Sequence, residues 1–196
     1  ALYTGGVKCW GWGTSGQLGN NTITSSSTPV DVQGLPAGTT TALTGGYRHT
    51  CAIAADGSAR CWGRNTEGQL GNSTNTSSRV AVTPPRLSSG ITAIVAGGAH
   101  TCVVQTGTVK CFGLNSAGQL GNNTTINSNT PVTATGLTGI AQVAAGGSHT
   151  CARTTTGKPL VASDPHLMLS APTPHFPMHL ACPDLDIDSL GERRLG

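Results

Sequence analysis

The chain has 196 residues and a formal net charge of +3, with 10% charged and 4% aromatic residues. So thin a positive charge, with no run of Lys or Arg, gives no footprint for a phosphate backbone, and nucleic acid is not an expected partner. The longest apolar run, about Ile91 to Ala99, is far short of the ~20 residues a helix needs to span a bilayer, so no membrane partner is expected either.

From the first residues onward the chain repeats itself. C-W-G-W-G-T-S-G-Q-L-G-N runs from Cys9 to Asn20, C-W-G-R-N-T-E-G-Q-L-G-N from Cys61 to Asn72 and C-F-G-L-N-S-A-G-Q-L-G-N from Cys111 to Asn122, at pitches of 52 and 50 residues. A second phrase keeps the same pitch: G-G-Y-R-H-T-C at Gly45 to Cys51, G-G-A-H-T-C at Gly97 to Cys102 and G-G-S-H-T-C at Gly146 to Cys151. A period near fifty means a propeller or a solenoid, whose units bury their apolar faces only against each other. Ala1 to Lys8 falls on Val103 to Lys110 without a gap, so the repeat is entered just after an H-T-C. Either a signal has been removed or the chain begins inside something larger.

Each unit reads as four short strands. Cys102 to Gln105 and Thr108 to Phe112 form a hairpin around the two-residue turn Thr106-Gly107, and Asp56-Gly57 makes the same turn with one residue more. The glycines and Asn of Gly63-Arg64-Asn65 and Gly68-Gln69-Leu70-Gly71 suit a compact loop with positive backbone angles, pinned by one buried Leu. Thr/Ser-rich stretches follow. Then comes a strand such as Thr28-Pro-Val-Asp-Val, whose Pro marks an edge, and last an apolar strand such as Ile140 to Ala145. Four strands with small residues on the innermost describe a propeller blade.

The phrases W-G-x-N-x-x-G-Q-L-G, S/T-x-P-V and G-G-x-H-T-C resemble the regulator of chromosome condensation family of propellers, in particular its cysteine-rich bacterial members, over residues 1–157. The resemblance implies an all-β fold: a partial β-propeller of about three four-stranded antiparallel blades (units about 7–61, 62–111 and 112–157), where the family's complete ring typically has seven. From Lys158 the composition changes in mid-hairpin. Residues 158–196 hold six of the eleven prolines and five of the eight acids but only two glycines. A frameshifted, truncated or replaced terminus is expected, mobile or loosely docked.

Cys51 with Cys61 and Cys102 with Cys111 stand across the two hairpins and are expected to close disulfides in an oxidising compartment, buried thiols being the alternative. Cys9 and Cys151 are then complementary halves of broken pairs, which suggests a homo-oligomer joined by strand pairing and an intermolecular disulfide. His49, His100 and His149 hold the same place in successive blades, which separates them around a ring. They are read as structural, bonding neighbouring backbone, and no metal site is expected of them. In the tail, His175, His179 and Cys182, with Asp164 and His166 nearby, have metal-ligand spacing, but Pro172, Pro174, Pro177 and Pro183 argue against the helix it needs. No cofactor is implied.

The repeats contain no G-x-S-x-G elbow and only Asp31, Asp56 and Glu67 as acids, which leaves little for acid–base chemistry. The expected function is a non-enzymatic scaffold that binds another protein, secreted or on a bacterial cell surface. The Thr/Ser/Asn segments after each G-Q-L-G-N and the non-repeated residues Trp12, Tyr47, Arg48, Arg64 and Leu114 would make the contacts. The alternatives are an esterase-like hydrolase with its site in the channel or at an assembly interface and, by resemblance, GTPase exchange or chromatin binding, disfavoured by the missing basic patch.

Overall fold

A computed structural model describes residues 2–3, 6–38, 40–155 and 159–162. Among them all regular structure is β, arranged as four antiparallel sheets standing side by side in an open array. The first sheet joins β1 (Leu2–Tyr3), β2 (Gly6–Gly11) and β3 (Ser26–Asp31). The second is a complete blade whose strands run in chain order from the inside outward: β4 (Ala42–Gly45), β5 (His49–Ile53), β6 (Ala59–Gly63) and β7 (Ser78–Val82). The third repeats it with β8 (Ile91–Ala96), β9 (His100–Gln105), β10 (Thr108–Gly113) and β11 (Ser128–Thr133). The fourth holds β12 (Ile140–Ala145), β13 (Thr150–Thr154) and β14 (Pro159–Ala162). Sheets and sequence units are out of phase: a unit counted from one C-W-G to the next takes strands from two neighbouring sheets.

The core lies between the sheets, not within them. Alternation along β5 sends Cys51 and Ile53 to one face and Ala52 to the other, as expected for a strand buried on both sides. Trp62 and Ala52 pack back against Cys9, Val32 and Leu35 of the first sheet. Cys51, Cys61, Leu70 and Leu87 pack forward against Ile94, Val103 and Phe112 of the third. Cys102, Cys111 and Leu120 then meet Ile140, Val143 and Ala152 of the fourth. The two hairpins carry disulfides Cys51–Cys61 and Cys102–Cys111, each with 4.1 Å between Cα atoms. Thr106 and Gly107 both have positive φ, the mirror-image turn that a two-residue hairpin requires.

Each phrase has a task at the junction. The third strand bulges where the aromatic residue sits, and the following glycine, Gly63 at φ 105°, has no room for a side chain, because a Cβ would lie 2.8 Å from the Cα of His49. The last glycine of G-Q-L-G is the seat for the next blade's aromatic ring: a Cβ on Gly19 would stand 2.7 Å from Trp62 Nε1, and one on Gly71 2.6 Å from Phe112 Cδ2. Between these glycines the loop is held by an asparagine, though not through its backbone angle as the sequence suggested. Asn65 Oδ1 accepts from Leu70 N at 2.8 Å, and its Nδ2 donates to Asn72 Oδ1 and the Thr74 and Thr76 carbonyls. Asn115 repeats these bonds. In the first unit Gly13 takes this place, and the loop closes directly onto it with the Thr24 carbonyl where a Cβ would be.

Successive sheets are stapled by a three-residue relay. His49 Nε2 lies 2.9 Å from Thr101 Oγ1 of the next sheet, and Thr101 Oγ1 donates to the Gln69 carbonyl at 2.9 Å. Since the threonine proton is spent on Gln69, His49 must donate from Nε2. His100, Thr150 and Gln119 form the same relay with the same distances. His49 and His100 thus join one sheet to the next: beside the neighbouring backbone expected of them, of His100 and His149 respectively, each meets a threonine hydroxyl that the sequence did not reveal.

Candidate functional site

The rim where the first three sheets meet gathers the side chains that the repeats do not share. Arg64 N donates to Arg48 O at 2.8 Å, and Leu114 N to Ala99 O at 2.9 Å. These bonds tie the turn before each second strand to the start of the loop after each third strand. Tyr47 N donates to Gly98 O and Gly98 N to Gly147 O, so Tyr47 stands where the next two blades have glycine. Its ring and hydroxyl lie across those two glycines, and the side chain is 77% exposed.

Two adjoining depressions share Tyr47. One, of about 230 Å³, is lined by Tyr47, Arg48, Arg64, Glu67, Gln69 and Leu114, with the backbone of Gly98 and Ala99 as its floor. The other, of about 350 Å³, runs past Trp10, Trp12 and Tyr47. The Arg48 guanidinium bridges them, with Cζ 4.8 Å from the centroid of the exposed Trp12 ring. Arg64 Nε donates to Thr66 Oγ1 at 2.7 Å. All five contact residues proposed from the sequence therefore sit on one rim, contributed by three different units. Sequence reasoning missed Glu67, which lines the depression and accepts from Asn127 Nδ2 of the third sheet at 3.0 Å. Its place is held by Ser15 and Ala117 in the other copies, so the same variability would have found it.

The Thr/Ser/Asn segments are exposed loops. Their polar atoms go largely into the loops themselves, as in Thr74 Oγ1 to Asn72 Oδ1 and Asn75 Nδ2 to Thr66 O. Two side-chain bonds of the third segment, Asn129 Nδ2 to Asn75 Oδ1 and Asn127 Nδ2 to Glu67 Oε2, join two sheets.

The relay histidines are buried and stay uncharged at neutral pH. Burial, followed by the neighbouring imidazole, pulls His49 and His100 down from 6.5 to about 4, and their Nδ1 atoms are buried without a partner. His149, by contrast, is exposed. Cys9 is a half-buried thiol, and its burial pushes its pKa up. Among the described residues no three His, Cys, Asp or Glu side chains gather as metal ligands. His166, His175, His179, Cys182 and Asp164 lie outside the described residues, as does most of the tail. Residues 159–162 are described, and they occupy the third-strand position of the last sheet, with Val161 opposite Cys151 where the other blades have a cysteine.

The model of the regulator of chromosome condensation (RCC1) repeat matches residues 4–53, 56–104 and 106–153. The chain belongs to the RCC1 repeat family. A second RCC1 repeat model matches residues 41–69 and 91–119, and a penicillin amidase model matches residues 142–191, a quarter of the chain that overlaps the last repeat. The ultraviolet-B receptor UVR8 of Arabidopsis thaliana is 32% identical over 104 residues, 52% of this chain and 23% of that protein. The human E3 ubiquitin-protein ligase HERC2 is 32% identical over 108 residues, 53% of this chain and 2% of the ligase. The chain thus spans under a quarter of the length of these two curated relatives. Among solved structures, human WBSCR16 superposes with a TM-score of 0.67 at 24% identity, covering 79% of this chain and 43% of that one. That likeness speaks for the propeller fold alone.

Proposed function

We propose that this RCC1-repeat array is a non-enzymatic scaffold whose rim, at the meeting of the first three sheets, docks a segment of another protein. One observation carries the reading. Trp12, Tyr47, Arg48, Arg64 and Leu114 come from three units, each at a position where the repeats differ, and all line two adjoining depressions. Residues serving only the fold are held in common by the repeats. These are not, and two of them are large, exposed aromatics, the residue type enriched in binding anchors. The hairpin disulfides fit a secreted or cell-surface location, which belongs to the same reading. So does a homo-oligomer in which the Cys151 strand of one copy pairs with the Cys9 strand of another and the two cysteines join, which a monomeric mass by light scattering would remove.

The test is selection of peptides from a displayed random library on the oxidised chain, followed by Tyr47→Ala and Leu114→Ala variants. Selected peptides should lose most of their affinity for these variants while Ser88→Ala, an exposed change at the hairpin-turn end of the third sheet, leaves binding intact. Peptides that bind all three equally well would sink the reading.

A further inference from the structure

We infer that the smaller depression selects an acidic segment, seating an Asp or Glu carboxylate between Arg48 and Arg64. This rests on the rim being a docking site, and adds the chemistry of what docks there. The hydrogen bond from Arg64 N to Arg48 O makes the two residues neighbours across the rim, and both side chains line the same hollow. Two guanidinium groups side by side repel each other unless a negative charge joins them. Neither meets a carboxylate among the described residues, where the ion pairs are Lys8–Asp31 and Arg60–Asp56.

Both forks are held ready. Arg48 lies over the Trp12 ring, and its guanidinium donates no hydrogen bond among the described residues, so its N–H groups are available to a ligand. Arg64 is anchored by Nε on Thr66, which leaves its two terminal nitrogens to donate. The one acid in the lining, Glu67, is engaged by Asn127 Nδ2 on Oε2 and by Thr66 Oγ1 on Oε1, and the hollow remains net positive. A volume of about 230 Å³ admits one or two side chains, not a folded surface. Leu114 and the Tyr47 ring offer apolar contact beside the charge, so the segment pairs an acidic residue with an apolar one. Paired N–H donors on a carboxylate give both strength and orientation.

The experiment is titration calorimetry of the full oxidised chain with two capped hexapeptides: Leu-Asp-Glu-Leu flanked by serines, and its uncharged Leu-Asn-Gln-Leu counterpart. The acidic peptide should bind at least about fivefold more tightly at low salt. That preference should disappear in Arg48→Gln/Arg64→Gln and shrink in half-molar salt. Should the double variant fail to fold, Arg64→Gln alone and the salt series on the unaltered chain decide. Equal affinity for both peptides, lost together in Tyr47→Ala, would overturn the charge selection while leaving the rim as a docking site. No binding of either peptide would overturn both readings. A decathymidylate that displaces the acidic peptide at lower concentration would overturn this one in favour of phosphate recognition.

Discussion

Trp10 and Trp62 occupy the same place in the same phrase, on β2 and β6, yet Trp10 is 53% exposed and Trp62 is completely buried. The difference lies outside both residues. Trp62 rests on Gly19 of the sheet before it and donates from Nε1 to the Gln17 carbonyl at 3.0 Å, whereas Trp10 has no described sheet on that side. Burial in this fold is therefore conferred by the neighbour, and a phrase identical in sequence is core in one sheet and surface in another. His49 and His149 make the same point, one sealed under the next sheet's threonine and one open to solvent.

The comparison breaks most clearly at the tryptophans. Trp62→Ala should cost about 3–5 kcal/mol in chemical denaturation, through the lost ring volume and the lost indole hydrogen bond to the Gln17 carbonyl, which keeps only its Thr50 donor, whereas Trp10→Ala should stay within about 0.5 kcal/mol. Similar losses would mean that burial is intrinsic to the phrase. Acid probes the sealed histidines. Their folded values of about 4 lie below the ordinary 6.5, so the unfolded chain binds protons first. Stability is complete above about pH 6.5 and falls as the pH drops towards 4, by about 3 kcal/mol for each histidine. A His100→Gln variant should lose roughly half of that acid limb, and an unchanged limb would argue against the buried relay.

The disulfides come next in size. Replacing Cys51 and Cys61 together by Ala should cost about 2–3 kcal/mol, the loop-closure value for a bridge spanning ten residues. Cys9→Ala, in a sheet without such a bridge among the described residues, should cost under about 1 kcal/mol by the same denaturation measurement. The finest contrast lies within the relay. Thr101→Val keeps the shape but strands the His49 donor and the Gln69 carbonyl, for about 1–3 kcal/mol. Ser148→Ala, an exposed neighbour of His149, should be silent.

The blade was legible from the chain because its phrases are geometric requirements. Gly71 repeats since a ring must sit on it, and Leu70 and Leu120 repeat since a loop must be pinned. What the sequence withheld depends on proximity across sheets. Nothing in G-G-x-H-T-C says that His49 reaches a threonine fifty-two residues later, because that bond exists only once two units lie side by side. Nor does the phrase C-W-G reveal which of its copies has a neighbour to pack on. The rim residues were visible for the opposite reason, as departures from the repeat, but that Trp12 would cradle Arg48, or Glu67 join the hollow, needed the sheets in place. The tail was read as foreign from its composition, yet residues 159–162 still complete a strand. Backbone pairing asks little of side-chain identity, so four extended residues beside β13 suffice.

Both joints of the relay are made from a histidine ring, a threonine hydroxyl and a glutamine backbone carbonyl at nearly the same offsets, so one unit can follow another without a new joint. Whole units could be gained, lost or exchanged by recombination at the level of the gene without redesigning a joint. Selection would then be free to rewrite the few rim positions that touch the outside, one module at a time.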